Sequence, residues 1–379
     1  MMRPIRPLLA LLAALAAAPA PAAEVIEARL TSDHHDFRLV RLVEGLSHPW
    51  SLAFLPDGRT LVSERGGRLW LLEGDDRRAL SGLPAVSTRG QGGLLDLALH
   101  PDYGSGDGDS DWLYLTYSRP GPGGSASALA RARLGDAGLT ELETLFVQDR
   151  YSDPGRHYGG RLAFLPDGTL VMSIGERGRD PSRAQDGGDH AGSVLRLTAE
   201  GAAPADNPFV NDAAVLDEIY SLGNRNIQGM TVDGEGRLWA SEHGPRGGDE
   251  LNRIEAGANY GWPEVSLGRD YVTFLPIGDD SRPGMRDPVH VFEGRFAPSG
   301  LAWVSGDAFP GWRGSLLAGG LLSERLVRLV IDGDTVVERE VLLEGEIGRI
   351  RDVRSGPDGQ VYLLSDEGDG GLYRLEPRE

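Results

Sequence analysis

His157 and Glu176 are the residues of this 379-residue chain whose types and spacing first point to chemistry. The histidine stands in RHYGGRL, and the acid follows nineteen residues later, at the end of the strand-like run LVMSIGE. If the segment between them folds as a hairpin, the outer ends of its paired strands lie side by side. A carboxylate in that position orients an imidazole and raises its basicity. The pair therefore reads as a general base with its orienter. A lone histidine among glycines is more often an ordinary loop residue, so the reading depends on its surroundings.

Three further clusters supply those surroundings. Gln91 lies in GQGGLLDLALHPDY, between glycines that let the backbone approach a ligand closely. Arg225 and Asn226 sit in SLGNRNIQGM between apolar residues, and an inward-facing arginine needs an anionic partner to offset its desolvation. Arg349 and Arg351 in GRIRDV raise the same question, and strand alternation puts both on one face. Pairing with Asp352 or other acids is the ordinary explanation; three arginines at matching places in different repeats point instead to a polycarboxylate or phosphate ligand. In HGPRGGDE, the Gly244 and Pro245 carbonyls and the Asp249 and Glu250 carboxylates offer the mixed oxygen set that calcium accepts. A Pro-Gly turn with solvated acids explains that segment equally well.

The elements that must position these residues repeat along the chain. LAFLPDGRTLVSERGG from Leu52, LAFLPDGTLVMSIGERG from Leu162, MTVDGEGRLWASEHG from Met230 and VRSGPDGQVYLLSDEG from Val353 are clear copies of one pattern, and looser copies begin at Leu97 and Leu301. Each is two runs of alternating apolar residues around a Gly/Asp turn, closing on a small residue and an acid. The turn acids Asp57, Asp102, Asp167, Asp233, Asp307 and Asp358 are 45, 65, 66, 74 and 51 residues apart. Six hairpins at such intervals, with almost no helical periodicity between them, predict an all-β, six-bladed β-propeller of four-stranded antiparallel blades. A β-sandwich also shows frequent turns but does not explain six similar units. The 54 glycines and 24 prolines suit many tight turns, and 40% hydrophobic residues suffice for packed sheets.

Residues 1–23 read as a secretory signal peptide: Arg3 and Arg6 precede LLALLAALAAA, with small residues after it for cleavage. Residues 24–379 then form a single propeller domain, periplasmic or secreted, and no later segment is long and apolar enough for a membrane span. Cysteine is absent, and all 38 basic residues are arginine, which excludes disulfides, thiol chemistry, Schiff-base catalysis and a P-loop. A net charge of −19 disfavours nucleic acid and anionic membranes.

Taken together, GQGGLLDLALHP, HYGGRL, LGNRN, EHGPRGGDELN, NYGWP and GRIRDV resemble, in type and order, the soluble pyrroloquinoline quinone (PQQ) dependent glucose and aldose sugar dehydrogenases, six-bladed propellers exported to the periplasm. The resemblance runs from about His48 to Leu375 and is nearer to the aldose sugar dehydrogenase branch, since Arg156 precedes His157 where the glucose enzymes have Asp. It implies that His157 is the general base, taking the anomeric hydroxyl proton while hydride passes from C1 of an aldose to the quinone. Gln91 would contact the reacting hydroxyl, and Arg225 would stabilise charge on the quinone oxygen. Asn226 would hold PQQ, and Arg349 with Arg351 would bind its carboxylates. Gly244 and Pro245 would hold a calcium beside the cofactor. Glu250 and Tyr260 would bind a second, structural calcium.

Two positions depart from the family. Its cofactor-contacting lysine falls near Leu322, and this chain has no lysine, so that contact is lost or supplied otherwise. Glu176 replaces an aspartate, adding one methylene. The alternatives are a calcium-dependent lactonase on a similar ring, which calls for inward carboxylates rather than arginines, and a non-enzymatic binding propeller. Sugar preference is expected to lie in long loops such as Glu264 to Asp287, and the electron acceptor is unidentified.

Overall fold

The computed structural model describes residues 23–74, 76–106 and 108–378. All six repeat copies form the antiparallel hairpin that begins a sheet. In the first, strand Pro49–Phe54 pairs with Thr60–Glu64 in a ladder that sets Leu52 opposite Val62. The turn is closed by Gly58 at φ 88°, a left-handed conformation that an added Cβ would strain.

Two outer strands complete each sheet, giving five four-stranded blades and one of five strands. The first strands of consecutive blades touch in a closed circle, the sixth against the first. This is the predicted six-bladed propeller. Strand Leu170–Ile174 is buried at every residue, whereas the outer strand Asp76–Leu80 is exposed at four of its five. Middle strands are covered on both faces by neighbouring blades, so they lose the alternation expected of a half-exposed sheet. Helix is confined to two short 3-10 turns, Pro181–Gln185 and Pro310–Trp312, among the described residues.

Ring closure was not apparent from the repeats. Strand Asp36–Leu46 pairs with the C-terminal strand Gly370–Pro377, and Glu24–Thr31 adds outside it. Phe37 and Leu39 are fully buried there, with Phe37 edge-on to Trp312 at 5.3 Å between ring centroids. The closure ties the two ends of the domain together by hydrogen bonds and apolar contact. The expected signal peptide lies, up to residue 22, outside the described residues. No helix among those described is long and apolar enough to cross a membrane.

A buried ionic knot fills the middle of the channel. Arg161 reaches Asp96 at 3.2 Å and Asp352 at 2.8 Å, and Arg354 reaches the same acids at 2.6 and 2.9 Å. The neighbouring guanidinium charges hold Asp96 below its usual range in spite of its burial. All six first strands leave the same end of this channel, and the predicted site residues collect at that end.

Candidate functional site

His157 and Glu176 meet as the hairpin geometry requires. The histidine Nδ1 hydrogen-bonds a Glu176 carboxylate oxygen, while the other oxygen takes the Gly178 N–H at 2.8 Å. His157 is 12% exposed and has φ 52°, so its loop is held in a strained left-handed turn. Burial lowers the imidazole pKa, the Arg225 charge lowers it further, and Glu176 only partly restores it. Burial is the largest influence on Glu176 and would raise it, but the His157 hydrogen bond and charge, the Gly178 N–H and the Arg225 charge together keep the carboxyl below its ordinary value. The ring is therefore neutral at pH 7 with its Nδ1 proton fixed on Glu176, leaving the Nε2 lone pair without a partner among the described residues.

Gln91 and Asn226 stand on either side of that loop. Gln91 Oε1 accepts the His157 N–H at 2.7 Å, and Asn226 Oδ1 accepts the Gly159 N–H at 3.1 Å. Both amides thus brace the strained turn, a role the sequence did not suggest. The amide nitrogen of Gln91 has no partner among the described residues.

Arg225 is buried, yet its guanidinium makes no ion pair among the described residues. One Nη donates to the His243 carbonyl at 3.1 Å, the group lies 5.3 Å from the Trp262 ring, and Nε has no partner. The neighbouring Glu242 carboxylate is instead turned to main-chain N–H groups, those of Arg225 and, at 3.3 Å, Asn226. A buried unpaired guanidinium is costly unless something anionic or strongly polar completes it.

Arg349 and Arg351 line a cavity of about 270 Å³ with His48, Trp50, Arg65, Gln91, Gln228 and His243. They share Asp366, at 3.7 Å from Arg349 and in direct contact with Arg351, which also donates to Gln228 at 2.9 Å. Asp352, the expected partner, is occupied by the channel knot. A break in the regular pairing between Ile350 and Asp352 separates the two directions. Leu322 is exposed nearby, and the cations facing this cavity are Arg65, Arg349 and Arg351. His157 borders the cavity through Gln91, and Arg225 through His243.

Gly244, Pro245, Glu250 and Tyr260 converge with Glu242 and Arg225 on a small hollow of about 10 Å³, room for a single water-sized particle. Burial, reinforced by the Glu242 charge, pushes Glu250 up to about 8, and burial also raises Glu242. Two carboxylates that resist ionising beside main-chain carbonyls suit a divalent cation. The residues expected for two calcium ions thus border one hollow. The Tyr260 hydroxyl donates to the Arg253 carbonyl at 2.5 Å, so its main-chain oxygen is the available ligand. Asp249 is engaged by the Gly244 and Ala297 N–H groups at 2.9 and 2.8 Å and braces the loop. A separate group, Asp33, Glu338 and Glu340, brings three acids together on the outer edge, where Arg328 already pairs with two of them.

Sequence reading noted Gln228 beside Arg225 and Asn226 and missed Glu242, His243, Asp366 and His48. A signal for two of them was present: the repeat closes on an acid, and Glu64, Glu176, Glu242 and Asp366 are all buried at those closing positions.

Comparison with known proteins agrees with this geometry. The Glucose / Sorbosone dehydrogenase family matches residues 46–374. Aldose sugar dehydrogenase of Escherichia coli (strain K12) is 39% identical over 345 residues, covering 89% of this chain and 92% of that protein. The crystal structure of the soluble Escherichia coli aldose sugar dehydrogenase in its apo-form superposes with a TM-score of 0.86 at 39% identity, over 90% of this chain and all of that one. The PQQ-bound aldose sugar dehydrogenase of Streptomyces coelicolor superposes with a TM-score of 0.75 at 30% identity, over 95% of this chain and all of that one.

Proposed function

The chain belongs to the Glucose / Sorbosone dehydrogenase family, and from that membership we propose that it is a PQQ- and calcium-dependent aldose sugar dehydrogenase that oxidises the anomeric carbon to a lactone. The observation that carries this reading is Arg225, a buried guanidinium without a carboxylate, next to a neutral histidine–glutamate pair. A lactonase needs neither feature, and a degenerate binding propeller would have no reason to keep both.

The cationic cavity fits a planar tricarboxylate. Arg349 and Arg351 would hold its carboxylates, Asn226 and Gln91 would flank it, and Arg225 would face the oxygen on which negative charge develops. Bound there, PQQ supplies two-electron, hydride-accepting quinone chemistry. Glu250, the Tyr260 main-chain oxygen and the Gly244 and Pro245 carbonyls would hold calcium, with Glu242 as a further carboxylate.

The protein's own work at the sugar is proton transfer. His157 Nε2 accepts the anomeric hydroxyl proton, and Glu176 holds the ring in the required tautomer and steadies the imidazolium that forms. Gln91, through its free amide nitrogen, orients the hydroxyl. Loss of one proton and one hydride from the sugar yields the lactone. Export to the periplasm, with the leader removed, fits an enzyme that meets free aldoses and passes electrons to an acceptor of its own compartment.

Reconstitution of the apoprotein with PQQ and calcium, followed by dye reduction with glucose and other aldoses, tests the reading. Absence of reduction with every sugar, together with absence of quinone absorbance after gel filtration, would overturn it. Lactone hydrolysis without PQQ would favour the calcium hydrolase instead.

A further inference from the structure

His48 is an unassigned histidine in the wall of the arginine-lined cavity. Its backbone is clamped on both sides, by its N–H to the Glu367 carbonyl at 2.8 Å and its carbonyl to the Arg65 N–H at 3.0 Å, in a left-handed conformation of φ 48°. Its Nδ1 bonds Asp366 at 2.8 Å, and its Nε2 has no partner among the described residues. The ring is therefore oriented as firmly as that of His157, with one nitrogen committed to a carboxylate and the other turned to an open cavity.

The charges around it favour an anion. Arg65, Arg349 and Arg351 face the same space, and Asp366 is the one carboxylate among the residues lining it. Arg65 is bound to the Gly90 carbonyl at 2.6 Å and pairs with no acid among the described residues. Glu64, next along the chain, is turned away to Ser47 N–H and Arg68. Glu367 contributes its backbone to His48, while its side chain lies beside Gly348. Asp366 is thus outnumbered, and a ligand carboxylate entering here would meet a net positive wall.

We propose that His48 is a ligand-binding residue of this cavity: oriented by Asp366, its Nε2–H donates to a carboxylate of the bound cofactor, and binding is coupled to uptake of a proton by the imidazole. The proton comes from solvent, and no covalent bond changes. Asp366 and the ligand carboxylate then flank the imidazolium and offset the repulsion of Arg65, Arg349 and Arg351. The inference rests on the reading of this cavity as a PQQ site and adds to it a pH-dependent contact.

Calorimetric titration of the calcium-saturated apoprotein with PQQ, in buffers of different ionisation enthalpy between about pH 6 and pH 8, measures the linkage directly. The wild type should take up a substantial fraction of a proton near neutral pH, and its affinity should fall about tenfold across that range. His48→Gln should remove this component of the uptake and bind about tenfold more weakly at the acid end. His48→Lys, with a fixed charge, should bind with a flat pH profile. Binding by the wild type without proton uptake, or uptake unchanged in His48→Gln, overturns the proposal and leaves the cofactor reading standing. Failure of the wild type to bind PQQ at any pH overturns both. A change confined to the sugar KM, with PQQ binding untouched, would assign His48 to the substrate and overturn the cofactor contact.

Discussion

Glu242 binds the main-chain N–H of Arg225 and leaves the guanidinium of the same residue without a carboxylate. The acid thereby fixes the position of the arginine without neutralising its side chain. An ion pair in that place would satisfy the apoprotein and blunt the charge available to a ligand. The arrangement stores a desolvated cation at the site where the proposed reaction develops negative charge.

Replacing Arg225 by Met should therefore separate stability from function. Removal of an unpaired buried charge by an apolar side chain of similar length is expected to leave the apoprotein as stable as before or more so, by about 1 kcal/mol. Turnover should fall by at least about a hundredfold. Thermal unfolding of the apoprotein and steady-state dye reduction measure the two effects, and a loss of stability would show that the guanidinium is satisfied in the folded chain.

The base and its orienter predict a specific pH response. Burial holds His157 below the ordinary histidine value, so the neutral, active form persists on the acid side of pH 6.5, and the acid limb of kcat/KM should lie below that pH. Glu176 works in the opposite direction, raising the imidazole. Glu176→Gln should move the acid limb further down and lower kcat by roughly a hundredfold through loss of the fixed tautomer. His157→Ala should retain PQQ and lose turnover, whereas Arg351→Ala should weaken PQQ binding. Movement of the limb to higher pH in Glu176→Gln would contradict the assigned roles.

These residues differ in how far the sequence revealed them. Hairpins announce themselves through turn residues and paired apolar runs, and a hairpin alone brings Glu176 to His157. The fold was legible for the same reason, since six local units needed no long-range information. Contacts across blades were not legible: Asp366 meets His48 from the opposite end of the chain, and nothing local signals it. The channel knot was hidden because Asp96 and Arg161 lie within apolar runs whose partners come from the second, third and sixth blades. Ring closure by Asp36–Leu46 was missed because that strand belongs to no repeat copy.

Calcium should stabilise the protein in a way that depends on Glu250. That carboxyl is raised to about 8, so in the metal-free protein it carries a proton that the unfolded chain releases near its ordinary value. The metal-free protein then loses stability as pH rises from about 4.5 towards 8, and calcium, which favours the ionised form, should restore it. At a hundredfold excess over Kd the gain is about 2.7 kcal/mol. Thermal unfolding with calcium and with a chelator at pH 6 and 8 checks this, and Glu250→Gln should abolish most of the calcium response. An equal response in that variant would move the ion away from the Glu242–Glu250 hollow.

The channel knot should matter to the site as well as to stability. Arg161 reaches across the axis from Asp96 and Asp352 to the main-chain carbonyl of Arg351 at 2.9 Å, so the same guanidinium that neutralises the acids also holds the strand presenting a proposed cofactor ligand. Asp96→Ala leaves Arg161 and Arg354 competing for one remaining acid and strips the Leu162 N–H of its acceptor at 2.8 Å. Breaking one member of a buried charge network costs about 3–5 kcal/mol, and denaturant unfolding should show a loss of that size. PQQ affinity should fall in the variant that still folds, because Arg351 loses part of its support, while the His157–Glu176 pair, held by its own hairpin, keeps its pH profile. A loss of stability with unchanged PQQ affinity would confine the knot to a structural role.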